Sequence, residues 1–263
     1  MSLPPGAVEI ALPSGGAAVL AEEVPVALVF EGVTQAVMMA TPADLDDFLL
    51  GFALTEGLIT DAADLQRHEV VEHPRGLEVR GWLSAPAAER FRARRRAMAG
   101  PVGCGLCGIE SLEEALRPLP TVAPAGRSGL SLQAPAAVAE AALAALRAAQ
   151  PLQDAVRASH AAGFWADGQL IYAREDVGRH NALDKLAGAL AFGAMDPAQG
   201  AIVMTSRLSV DLVQKAAMIG AGALIAPSAP TALAVSEAQS AGLALIARGP
   251  DGPTLFTRFE EPA

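Results

Sequence analysis

Hydrophobic and polar positions alternate over short stretches in the first part of the chain and fall into longer apolar runs in the second. "VPVALVFEGV" and "QAVMMA" read as two strands paired about Glu31-Gly32, and "GLEVRGWL" as another strand. Between them, "TPADLDDFLLGFALTEG" carries helix punctuation, with Thr41 as the cap, Pro42 at the first helical position and Gly57 as the stop. "APAAERFRARRRAMAG" predicts a strongly basic helix. Further on, Ser111 and Glu114 have capping-box spacing, so a short helix is expected toward Pro118. The Pro- and Gly-rich stretch "PTVAPAGRSG", residues 120–129, marks a boundary between residues 1–125 and residues 126–263.

The second part has a different rhythm. "APAAVAEAALAALRAA" reads as a helix, and "AAGFWADGQLIYA" as a hairpin turning at Asp167-Gly168. A helix from about Asn181 keeps Leu183, Leu186 and Leu190 on one apolar face. The strand "AIVMT", the helix "VDLVQKAAMIG", the strand "ALIA", the helix "ALAVSEAQSAG", the strand "LALIA" and a last strand near "TLFTRF" follow. This alternation predicts an α/β fold, a mixed sheet layered with helices, mostly parallel with an antiparallel hairpin edge. A smaller β-rich N-terminal unit precedes it.

Length and charge narrow the function classes. The 263 residues are 52% apolar, enough to bury a real core. A formal net charge of −10 argues against nucleic acid and against a membrane surface as general partners. No basic region followed by an apolar stretch opens the chain, and prolines and glycines interrupt the longest charge-free run. A cytoplasmic location is therefore expected.

The chemistry-bearing residues fall in a few stretches. "AGPVGCGLCGIES" holds both cysteines of the chain, Cys104 and Cys107, among glycines and after an arginine run. Positive charge and a nearby helix N-terminus both favour a thiolate. The pair is compatible with half of a zinc–sulfur site, with a redox couple, or with a sulfur relay, the last fitting its context best. "YAREDVGRHNALDKLAGAL" places Arg174, Glu175, Asp176, Arg179, His180 and Asn181 between a strand and a helix, where ligands gather in open α/β sheets. Ser206, Arg207 and Ser209 occupy the next strand-to-helix junction and Ser228 and Thr231 the one after. Ser209 and Thr231 also read as plain helix caps.

Taken together, "GFALTEGLI", "RRRAMAGPVGCGLCGIESL", "REDVGRHNALDKLAG", "SRLSVDLVQKAAMIGAGALIAPSAPTALAV" and "GLALIA" resemble the FdhD family of formate dehydrogenase accessory sulfurtransferases, in order and over nearly the whole chain. The resemblance implies a cytidine-deaminase-like larger domain. It implies a persulfide accepted from a cysteine desulfurase on Cys104, with Cys107 as relay partner. It further implies delivery of that sulfur to the molybdenum (or tungsten) bis-guanine-dinucleotide cofactor of formate dehydrogenase, bound as substrate, by a homodimer without a resident metal. The family's cofactor-binding stretch falls on Arg248, Gly249, Pro250, Asp251, Gly252 and Pro253. Arg174, Arg179, His180, Ser206 and Arg207 are expected to line the same pocket. The sequence departs from the family pattern at Ala247-Arg248, and at "DAVRASHAA", where His160 keeps the family's histidine but its neighbouring glycines are missing.

Overall fold

The computed structural model describes residues 3–98, 118–122 and 134–258. Cys104, Cys107 and the helix expected from Ser111 lie outside the described residues, as do residues 123–129 of the expected boundary.

The N-terminal part contains a two-stranded ribbon and a four-stranded sheet. β1 (Ala7–Ala11) and β2 (Ala17–Ala21) pair antiparallel. β3 (Val24–Phe30), β4 (Val33–Ala40), β5 (Leu65–His73) and β6 (Gly76–Leu83) form a sheet in the order β4-β3-β6-β5. The β3–β4 hairpin turns at Glu31 and Gly32, with φ of 52° and 73°, the left-handed pair that a tight turn between twisted strands requires. Helices α1 (Leu45–Thr55) and α2 (Ala85–Met98) pack on this sheet around Phe30, Phe48, Leu49, Val79 and Phe91.

The C-terminal part is built on six strands, β7 (His160–Ala166), β8 (Gln169–Asp176), β9 (Ala201–Met204), β10 (Ala223–Ile225), β11 (Ala244–Gly249) and β12 (Gly252–Leu255), in the order β12-β11-β10-β9-β7-β8. Parallel pairing is confined to β9, β10 and β11, narrower than the mostly parallel sheet expected. β12 closes one side antiparallel, and the β7–β8 hairpin, turning at Asp167-Gly168, closes the other. Helices α3 (Pro135–Ala148), α4 (Pro151–Val156), α5 (Arg179–Phe192), α6 (Val210–Met218) and α7 (Ala232–Ala241) complete the described residues. One apolar core joins α5, α6 and α7 to the sheet through Leu183, Leu186, Leu212, Ile202 and Leu245. On the opposite face Ala142 and Leu146 of α3 meet Trp165, Val203, Ile225 and Ile246. Burial on both faces accounts for the near-continuous apolar runs of the central strands.

α1 and α5 lie face to face between the two sheets, and both are buried over most of their length. Their backbones meet because each supplies a glycine. A Cβ on Gly51 would stand 1.7 Å from the Asp184 carbonyl oxygen, and one on Gly188 would stand 2.0 Å from that of Asp47. Neither carbonyl belongs to a side chain that could swing away. Gly188→Ala is therefore expected to destabilise the protein by at least about 2 kcal/mol, in the upper range of overpacking effects. An unchanged urea midpoint would show that the helices separate freely.

The start of α1 corrects the sequence expectation. The helix begins at Leu45, three residues after Pro42, and its N-cap is Asp44 in the left-handed region at φ 52°. Thr41 is withdrawn from capping because its amide, hydroxyl and carbonyl all bond to the C-terminal part. Gly57, with φ of 66°, follows the helix as expected.

Candidate functional site

The strand directions gather the candidate residues at one edge of the six-stranded sheet. β9, β10 and β11 end there, the antiparallel β7 and β12 begin there, and β8 ends there beside β7 through the pair His160–Asp176. The three polar junctions singled out in the sequence, the residue His160 and the stretch Arg248–Pro253 therefore share this edge.

Its two ends differ in character. At the β7–β8 end, β8 runs through Arg174 to Asp176, and α5 starts three residues later. Arg179 and His180 occupy its first turn. The Arg179 Nε and His180 Nε2 atoms are buried and have no hydrogen-bond partner. Nε2 of His180 lies 3.9 Å from an Asp211 carboxylate oxygen, and His160 Nδ1 lies 3.4 Å from the Thr205 hydroxyl. That hydroxyl accepts from the Ala161 amide at 2.9 Å, tying the start of β7 to the end of β9. Ser206 is buried, its hydroxyl donating to the Arg207 carbonyl, whereas Arg207 is exposed.

At the far end, Arg248–Pro253 is a hairpin tip. Arg248 pairs with Pro253 and Gly249 with Gly252 across a turn at Pro250-Asp251, with Arg248 and Asp251 exposed. The strand near "TLFTRF" thus starts earlier than expected, at Gly252. β8 and β11 are four positions apart in the sheet, about 19 Å at the usual strand spacing. The expected site residues form two clusters on one edge, bridged by the loops after β9 and β10. Those loops are themselves joined where the Thr231 amide donates to the Leu208 carbonyl at 3.1 Å.

The sequence pattern that defines the FdhD/NarQ family matches residues 21–260, the span that contains this edge. The chain belongs to the FdhD/NarQ family. It is 49% identical over 251 residues to the sulfur carrier protein FdhD of Agrobacterium fabrum, covering 94% of this chain and 90% of that one. It is 52% identical over 228 residues to the sulfur carrier protein FdhD of Cupriavidus necator, covering 86% and 77%. A crystal structure described as a formate dehydrogenase accessory protein from Desulfotalea psychrophila shares the fold, with a TM-score of 0.70 over 97% of this chain and 98% of that chain at 24% identity.

Several expected roles sharpen in this FdhD/NarQ chain. Arg174 is engaged within the protein: its Nε donates to Asp47 of α1 at 2.7 Å and its Nη1 to the Ala173 carbonyl at 2.9 Å. Burial raises the Asp47 carboxyl, and Arg174 pulls it back. The arginine helix is likewise partly consumed. Arg90 pairs with Asp64, Arg92 with Glu31, and Arg94 donates to the Glu56 and Gly57 carbonyls that end α1. Thr231 caps α7 as expected, through its hydroxyl and the Ala234 amide. Ser209 stands at the N-cap of α6 but donates to Asp211 instead of capping.

The chain's only two lysines, Lys185 and Lys215, are both centres of buried polar clusters. Lys185 is fully buried and donates to Asp176 at 2.6 Å and to the Thr41 carbonyl at 2.9 Å. Lys215 donates to Asp184 at 2.9 Å, to Glu56 at 2.7 Å and to Thr55 at 3.1 Å. Burial pushes the Lys185 ammonium below its ordinary range against the pull of Asp176. For Lys215, the carboxylates of Asp184 and Glu56 outweigh burial and raise it. The available signal was scarcity: a chain that otherwise uses arginine keeps its only lysines on two helices behind polar loops. Among the described residues no helix is long and apolar enough to cross a membrane.

His180 gives the edge a pH signature. Burial, then the charges of Arg179 and Lys215, lower its pKa from 6.5 to about 4. Between those values the unfolded chain binds the proton and the folded one does not, so this residue's contribution to stability is lost as pH falls from about 6.5 toward 4. His180→Gln is expected to flatten the fall in urea midpoint between pH 7 and pH 5. Identical slopes for the two proteins would rule this out.

Proposed function

We propose that the chain is a sulfur carrier required for formate dehydrogenase activity. The reading rests above all on near-half identity, across most of the chain, to relatives named sulfur carrier protein FdhD. In this reading Cys104 is the sulfur-bearing thiol and Cys107 its relay partner. The Cys104 thiolate attacks the terminal sulfur of a cysteine desulfurase persulfide; a new S–S bond forms, the donor's S–S bond breaks and the donor thiolate leaves. The chain then passes the sulfur to the molybdenum bis-guanine-dinucleotide cofactor, held as substrate, and so acts as a sulfurtransferase.

The edge of the six-stranded sheet supports this substrate class. An elongated cofactor carrying two pyrophosphates calls for cationic and amide donors at separated points, and Arg179, Arg207 and Arg248 are spread along this edge. The same reading makes the protein a cytoplasmic homodimer. Intact-mass spectrometry tests it directly: after incubation with a cysteine desulfurase and cysteine, the wild type gains sulfur and Cys104→Ser does not. A wild type that gains no sulfur would remove the proposal.

A further inference from the structure

The corner that carries Arg179 and His180 has an uneven pattern of hydrogen bonding. The amides of Val177 and Gly178 are tied, while the side-chain atoms Arg179 Nε and His180 Nε2 have no hydrogen-bond partner. The ties come from one buried carboxylate and from the N-terminal part. Asp176 Oδ1 accepts from the Gly178 amide at 2.7 Å and from Asn181 Nδ2 at 2.9 Å; its Oδ2 accepts from the Thr41 amide at 3.0 Å and from Lys185 Nζ at 2.6 Å. The Thr41 hydroxyl accepts from the Val177 amide at 3.1 Å, and the Met39 carbonyl takes a further bond from Asn181 at 2.9 Å. Thr41 and Met39 stand more than 130 residues away in sequence, at the end of β4. Buried polar atoms without hydrogen bonds are rare in folded proteins, so a corner held by this many bonds that leaves these two without one is arranged for something outside itself.

We propose that Thr41, Asp176 and Lys185 are positioning residues that hold the Arg179–His180 corner for ligand, which makes the N-terminal part a component of the anion site. The inference rests on the reading of this edge as the place where the cofactor's nucleotide binds. None of the three need touch the ligand. They act by fixing where the first turn of α5 begins. The site is therefore composite, and the C-terminal part alone lacks the Thr41 hydroxyl that Val177 requires.

Thr41→Val is the discriminating change, because it removes only the hydroxyl and keeps the backbone bonds of residue 41. With GDP as the probe, standing for half of the expected cofactor, calorimetry is expected to show affinity about fivefold weaker for Thr41→Val, the effect of one lost hydrogen bond. Thr41→Ser restores it. Val79→Ala, which loosens the remote four-stranded sheet, leaves it unchanged. Hydrogen exchange read without ligand supplies the second arm: the amides of Val177 and Gly178 exchange faster in Thr41→Val and at the wild-type rate in Thr41→Ser. Unchanged exchange in Thr41→Val overturns the proposal, as does equal weakening of GDP binding by Val79→Ala. If the wild type binds no GDP, the nucleotide reading of the edge fails and the exchange data alone decide whether the corner is held as described.

Discussion

Lys185→Met is expected to lower the free energy of unfolding by about 3–5 kcal/mol, the cost of leaving one buried charge without its counter-ion. Methionine fills much of the lysine's volume beside Phe48, so little of the loss would come from a cavity. The loss is electrostatic. Asp176 keeps its bonds from Thr41, Gly178 and Asn181 but remains a fully buried carboxylate with no cation in contact, and the Thr41 carbonyl loses its donor. A double variant separates this cause from simple mispacking. Asp176→Asn combined with Lys185→Met should be less destabilised than the sum of the single variants, because the double variant contains no orphaned charge. A urea titration giving a loss below about 1 kcal/mol, or a double variant as unstable as the sum of the single ones, would show that the orphaned charge does not set the cost.

How this cluster escaped the sequence reading shows where such reading stops. Features set by neighbouring residues were legible: the Glu31-Gly32 and Asp167-Gly168 turns, the stop at Gly57, and the alternation that builds the six-stranded sheet. The convergence of the polar junctions on one edge was legible too, because it follows from strand direction. Features set by distant residues were not. Thr41 has every local mark of a helix cap, yet its hydrogen-bonding groups are claimed by residues 135 and more positions downstream, and α1 starts later as a result. α5 reads as a surface helix with one apolar stripe, but α1 covers its other side. On a doubly covered helix Lys185 and Asp184 are buried polar groups that must find partners, where the pattern placed them in solvent. Gly51 and Gly188 look like weak points of helices until the second helix is present to fill the space. Arg174 reads as a pocket residue from its position, and the Asp47 contact from α1 that engages its Nε lies 127 residues away and leaves no local trace.

Cys104→Ser should abolish the maturation of formate dehydrogenase while leaving the protein folded and its GDP affinity unchanged. Serine matches cysteine in shape and keeps a polar group at the position, so what the substitution removes is the chemistry. A hydroxyl at neutral pH is neither ionised nor able to carry sulfane sulfur, whereas a thiolate attacks a persulfide readily. The measurement is formate dehydrogenase activity in cells that lack their own copy of this protein and are supplied with wild type, Cys104→Ser or Cys107→Ser, with melting of each purified variant recorded alongside. A carrier that only binds the cofactor and hands it to the apoenzyme would retain activity in Cys104→Ser, because the six-stranded sheet edge proposed to bind the nucleotide is intact. A carrier that moves sulfur loses it. Sulfur uptake measured on the same variants divides the two thiols further. If Cys104 receives the atom and Cys107 assists its release, Cys107→Ser still gains sulfur from the desulfurase but fails to support activity. Uptake lost in Cys107→Ser and kept in Cys104→Ser would reverse the order of the relay, and the site would then have to be rebuilt around the second thiol.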